Sequence, residues 1–139
     1  MKPLLLALAL LAFTACSTKE TNDSATTLDT NNKSFVHIVL FWLNQPDNEE
    51  DRAAFEVAIK KLLNDSEHIQ SSHLGTPAGT PRSVVDNTWT YEIALYFDSP
   101  EQQDLYQKEA AHLQFIEEAE HLWERVQVFD ALVSDHFSK

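Results

Sequence analysis

Tyr106 and His112 are the side chains in this sequence best suited to moving a proton, a phenol and an imidazole six residues apart in LYQKEAAHLQF, residues 105–115. An imidazole near its ordinary pKa can take a proton from an activated methylene, and a phenol can donate to a carbonyl oxygen. The chemistry within their reach is an aldol closure or a proton shift on a small apolar carbonyl compound. Their spacing imposes a condition, because six residues on one unbroken helix separate two side chains by about 240° after the full turn. They meet in one space only if the helix breaks or turns between them. His37, the one polar residue in FVHIVLFWL, is the third candidate. The other reading of both histidines is structural: His37 as a satisfied core residue, and His112 as a hydrogen-bonding residue that bridges helix to sheet or to a dimer mate.

Other chemistries find little support. His68, His73, His121 and His136 show no metal spacing beyond Glu117 and His121 four residues apart, which is half a site, so no metal is expected. There is no Gly-rich phosphate loop, no Ser nucleophile elbow and no reactive thiol, so no cofactor is expected either. Glu49, Glu50 and Asp51, like Glu117, Glu118 and Glu120, read as solvated helix faces.

Holding such groups requires a rigid frame, and the chain supplies elements for one. Residues 35–43 are apolar at nearly every position and rich in β-branched and aromatic types, the pattern of a strand buried on both faces. Period two places Phe35, His37, Val39, Phe41 and Leu43 on one face and Val36, Ile38, Leu40 and Trp42 on the other. Asn48 can cap a helix whose first turn carries Glu49, Glu50 and Asp51, and Phe55, Ala58, Ile59, Leu62 and Leu63 then form an apolar stripe. Residues 67–74 read as an edge or one-sided strand, and Gly75, Pro77, Gly79 and Pro81 open a long loop that runs to Asn87. A strand is expected over residues 88–97, TWTYEIALYF. Ser99 then caps a helix with Pro100 at its first position and Gln102 at its third, and that helix carries the 105–115 segment on to His121. Residues 123–133 close as a last strand, with Val126 and Val128 on one face and Phe129, Ala131 and Val133 on the other. The order β-α-β-β-α-β points to an α+β ferredoxin-like sandwich, with helices on one side of an antiparallel sheet. Its other side is uncovered. Since the first strand is apolar on both faces, the expected cover is a second copy of the chain, giving a homodimer in which two sheets form a dimeric α/β-barrel.

The N-terminus reads as an address. Lys2, an apolar run over residues 4–13 and then Thr14-Ala15-Cys16 have the layout of an export signal, too short for a permanent membrane span. The single cysteine at the cleavage point resembles a bacterial lipoprotein signal, with Phe13 where Leu is commoner. That resemblance implies lipidation of Cys16 and an extracytoplasmic, membrane-anchored protein of the bacterial cell envelope. The expected division is a signal peptide over 1–15, a flexible polar tether over 16–34, one domain over 35–135 and a tail over 136–139. With no second cysteine, no intramolecular disulfide can form, so stability must come from a core. The formal net charge of -12 repels phosphate backbones and anionic headgroups, which argues against nucleic-acid binding and against electrostatic membrane docking.

Taken together, FVHIVLFWL, the passage YEIALYFDSPEQQDLY, the segment ending AAHLQF and the closing HLWERVQVFD resemble the stress-responsive A/B barrel family of dimeric α/β-barrel proteins. The resemblance implies a homodimer with a small, mostly apolar cleft between sheet and helices, in a family most of whose members have no established activity. A plant polyketide cyclase of the family closes its substrate by aldol condensation without a cofactor, using the tyrosine and last histidine of a Tyr-x-x-His-Pro-x-His motif near a strand histidine. Position by position these fall on Tyr106, His112 and His37, and Trp89, Tyr91 and Phe115 are the aromatic residues expected to touch a ligand. Two functions follow from the resemblance: binding of a small apolar molecule, or cofactor-independent catalysis, cyclase-like or, as in other dimeric α/β-barrels, a monooxygenase reaction on an electron-rich aromatic. The chain departs from the motif where Glu109 and Ala110 replace its first His and its Pro. Pro would break the helix there, whereas Ala-Ala favours its continuation.

Overall fold

A computed structural model describes residues 34–135; the expected signal peptide, Cys16, residues 17–33 of the expected tether and the expected tail 136–139 lie outside it. The elements are β1 (Phe35–Leu43), α1 (Glu49–Asp65), β2 (Ser71–Gly75), β3 (Tyr91–Phe97), α2 (Pro100–Tyr106), α3 (Ala110–Ala119), a short 3-10 turn (Glu120–Leu122) and β4 (Trp123–Leu132). The strands form one antiparallel sheet in the order β2-β3-β1-β4. This is the α+β ferredoxin-like sandwich, with β1 at its centre.

Local chemistry accounts for the boundaries. The Asn48 side chain accepts from the Glu50 and Asp51 amides at 2.9 and 3.1 Å, and three acids occupy the first turn of α1 where the helix dipole favours them. Ser99 caps α2 through the Gln102 amide, with Pro100 next, as the spacing predicts. Strand β2 starts later than its sequence suggests, because the Ser66 hydroxyl accepts from the amides of His68 and Ile69 and winds that stretch into a turn. Strand β3 also starts late. The Thr90 amide still donates to the Phe41 carbonyl at 2.7 Å, but the remaining contacts at that end are to side chains, the Leu43 amide donating to the Thr90 hydroxyl and the Trp42 indole to the Thr88 hydroxyl.

The core lies between the sheet and the helices. Phe55 and Ile59 of α1, fully enclosed, pack with Phe41, Tyr91, Ile93, Leu95, Phe97 and, from α3, Phe115 and Ala119. Phe55 stacks on Tyr91 with ring centroids 4.8 Å apart and meets Phe41 edge-on at 5.0 Å. The opposite sheet face carries Val36, Ile38 and Leu40, all half-buried, flanked by Tyr96 and Phe129, which are exposed. No element of the described residues covers it.

The expected single helix from Ser99 to His121 is two. Between α2 and α3, residues 107–109 form a turn, and Glu109 takes extended backbone angles, φ -69° and ψ 155°. The Ala-Ala pair does begin a helix, but a new one. Local propensity is worth only tenths of a kcal/mol per residue, too little to fix where a helix starts or ends.

Candidate functional site

The break brings together what the spacing alone would separate. Tyr106 ends α2 and His112 lies in the first turn of α3, and their ring centroids are 4.7 Å apart. His37 comes to them from β1, its ring 6.1 Å from that of Tyr106. All three line one cleft of about 230 Å³ between the sheet and the α2/α3 break, walled mainly by apolar residues, among them Val39, Ile93, Phe115, Ile116 and Val128. An apolar cavity of about 150 Å³ holds a benzene molecule, so this one suits a substituted ring or a short-chain compound of similar size.

Both histidines have a defined hydrogen-bond partner. The Nδ1 of His112 lies 3.3 Å from the Gln107 carbonyl oxygen, which can only accept, so Nδ1 carries the hydrogen and Nε2 keeps its lone pair. Burial holds the His112 pKa below the usual histidine value, partly offset by the Gln107 carbonyl, and the neutral ring is the resting form at pH 7. The Nδ1 of His37 lies 2.6 Å from Asp130 Oδ1. With the imidazole neutral, the carboxylate accepts from Nδ1 and Nε2 keeps its lone pair. Tyr106 is 2% exposed, and its hydroxyl makes no hydrogen bond among the described residues. Burial, with the Glu109 charge second, pushes its pKa well above the ordinary phenol value.

The sequence-predicted residues divide. Tyr106, His112, His37 and Phe115 share the cleft. Trp89 and Tyr91 are not in its wall. The Trp89 indole donates to the Asp86 carbonyl within the long loop. The Tyr91 hydroxyl donates to Glu56 at 2.8 Å while the Arg52 guanidinium lies 4.8 Å over its ring, so Tyr91 is committed to α1. Asp130 was not anticipated. It follows Val126 and Val128 at period two on the cleft face, and the β1–β4 register sets it directly opposite His37. That strand pattern was the available signal. Among the described residues no three His, Cys, Asp or Glu side chains gather as metal ligands, and no helix is long and apolar enough to cross a membrane.

Residues 35–133 match the model of the Stress Responsive A/B Barrel Domain family. A hydroxynitrile lyase from Passiflora edulis superposes with a TM-score of 0.65 at 16% identity, over 77% of this chain and 99% of its own. A Dabb family protein with a ferredoxin-like fold from Mesorhizobium loti gives 0.62 at 16%, over 74% and 99%. A dimeric ferredoxin-like protein of unknown function from Thermobifida fusca gives 0.62 at 14%, over 76% and 96%. At these identities the solved structures establish a shared fold. No curated protein matches the sequence.

Proposed function

The chain belongs to the stress responsive A/B barrel domain family, and from its cleft we propose that it binds a small, mostly apolar carbonyl compound and moves a proton on it without a cofactor. One observation carries the reading. A nearly enclosed tyrosine leaves its hydroxyl without a protein partner beside a neutral imidazole, in a cleft with room for a small molecule. Among the described residues only Glu109 Oε1 is a buried side-chain oxygen without a partner, so the Tyr106 hydroxyl is open to the cleft, where a bound carbonyl would replace water as its partner.

The steps follow from the donor set. Tyr106 donates a hydrogen bond to the carbonyl oxygen, and His112 Nε2 takes a proton from the adjacent carbon. The electron pair of that C–H bond moves into the enolate. Where a C=C bond is conjugated with the enolate, return of the proton from the imidazolium to its far carbon completes an isomerisation, whereas attack of the enolate carbon on a second carbonyl forms the C–C bond and the imidazolium then protonates the resulting alkoxide, which completes an aldol closure. His37, held by Asp130, supplies a second acceptor on the opposite wall. That a family-fold relative is named a hydroxynitrile lyase shows that the sandwich can host lyase chemistry; it says nothing of this chain's substrate.

The test is exchange of α-hydrogen for deuterium in a panel of small ketones and β-dicarbonyl compounds, followed by NMR in D2O. Acceleration over buffer, lost by roughly 10²–10⁴-fold in His112→Ala, is the expected result. Ligands that bind in the cleft with no exchange above buffer would reduce the protein to a binding module for small apolar molecules.

The proposal extends to assembly and address. A homodimer through the open sheet face is supported by the half-buried Val36, Ile38 and Leu40 and by relatives described as dimeric. Light scattering reads it directly. Lipidation of Cys16 and attachment to a cell-envelope membrane rest on the signal-like N-terminus. Cys16→Ser should move the protein from the membrane fraction to the soluble one.

A further inference from the structure

The break between α2 and α3 is made without the residue that usually makes such breaks. A residue preceding proline is driven to extended backbone, and proline is well suited to the first position of the helix that follows. Glu109 has that extended conformation and Ala110 opens α3, so the backbone here has the form of a proline break with alanine in the proline's place. Something other than a pyrrolidine ring must hold it.

The contact in the structure is a strap. Glu109 Oε2 accepts from the backbone amide of Glu67 at 3.1 Å, a residue 42 positions away in the turn between α1 and β2. Its own amide donates to the Tyr106 carbonyl at 3.2 Å, and its carbonyl accepts from Leu113 at 3.1 Å. One residue thus joins the end of α2, the start of α3 and the end of α1. The other carboxylate oxygen, Oε1, is buried with no partner. The Oε2 bond is solvent-exposed while Oε1 is turned inward, so the carboxylate sits at the surface edge of the α1–β2 turn. The Gln107 carbonyl, which orients His112, lies within the same turn.

We infer that Glu109 is a positioning residue: its carboxylate, tied to the Glu67 amide, stands in for a helix-breaking proline and holds the Tyr106 and His112 rings together over the cleft. The inference rests on the proposed proton-transfer reading for its consequence, but not for its geometry. Glu109 does not touch a substrate, so its loss acts through the two rings.

Three variants of the full chain test it, each first checked for native far-UV circular dichroism. The direct readout is the set of NOE cross-peaks between the Tyr106 and His112 ring protons, and the second is kcat for α-hydrogen exchange. Glu109→Ala should lose the cross-peaks and lower kcat by roughly 10²-fold with KM little changed, the mark of a misplaced acid/base pair. Glu109→Gln keeps an oxygen for the Glu67 amide and should retain both. Glu109→Ala combined with Ala110→Pro should recover both, because the ring makes the break without the strap. Cross-peaks that survive in Glu109→Ala, that vanish equally in Glu109→Gln, or that do not return with Pro at position 110 each overturn the inference. Should Glu109→Ala fail to fold, the Gln variant and the Pro-bearing double variant still decide it. If the wild-type protein exchanges no substrate, the proton-transfer reading fails, and the cross-peaks alone decide the role of Glu109.

Discussion

Tyr106→Phe separates a structural tyrosine from a functional one, because the two roles predict opposite signs in stability. The ring is packed on three sides, 5.2 Å from Phe97, 6.1 Å from His37 and 4.7 Å from His112 by centroid, and Phe keeps all three contacts. Among the described residues the hydroxyl makes no hydrogen bond. Burying such a group without a partner costs about 1–3 kcal/mol in proteins, and the cleft gives this one some access to water, so the low end applies, about 1 kcal/mol. Removing the oxygen should therefore leave stability unchanged or raise it by up to about 1 kcal/mol. For a domain of this size that is a rise in Tm of about 4–8 °C, readable by calorimetry. Over the same substitution α-hydrogen exchange should fall, since the carbonyl oxygen loses its donor. A Tm lowered by several degrees would refute the reasoning, because it would mean that the hydroxyl is bonded within the fold and not reserved for a ligand.

Four further outcomes are expected. His112 has its pKa lowered chiefly by burial, so the unfolded chain binds the proton more readily; stability is fully present above about pH 6.5, falls as the pH drops through the lowered value, and His112→Gln flattens that slope in urea titrations at stepped pH. The same shift keeps His112 a base below pH 6.5, so the exchange rate should hold its plateau to a lower pH than a free imidazole allows. Phe55→Ala empties a site with no solvent exposure and four aromatic neighbours, and should cost about 3–5 kcal/mol by chemical denaturation. Phe129→Glu, at a residue 49% exposed on the open sheet face, should leave the subunit fold intact by circular dichroism and shift light scattering from dimer to monomer.

Most of the frame was legible because its signals are local. The near-continuous apolar run over residues 35–43 and the period-two alternation over 91–97 mark strands directly, and Asn48 and Ser99 mark helix starts through bonds to amides two and three residues away. What escaped depends on partners far along the chain. The alternation of TWTYEIALYF continues through Thr88 and Trp89, but hydroxyl bonds to Trp42 and Leu43 take the place of strand pairing there. The partner of His37 is 93 residues away, and finding it needs the β1–β4 register as well as the pattern of β4. The helix break is the clearest case. Ala110 and Ala111 favour helix whether or not one ends just before them, so propensity is blind to the contact between Glu109 and the Glu67 amide.

The cleft's apolar walls also decide which form of each group is present. Burial raises the phenol pKa of Tyr106 and lowers the imidazole pKa of His112, and both shifts favour the uncharged state. A neutral imidazole is the form that can accept a proton. A phenol held far above its usual pKa is poorly disposed to give its proton up, so at the carbonyl oxygen it acts as a hydrogen-bond donor that steadies developing charge, and the proton itself travels through His112. This division of labour predicts that one ionisation, that of His112, governs the acid limb of the rate profile. Tyr106→Phe should lower the height of that profile and leave its acid midpoint in place, whereas a midpoint displaced by the loss of the hydroxyl would show the two groups titrating as a coupled pair.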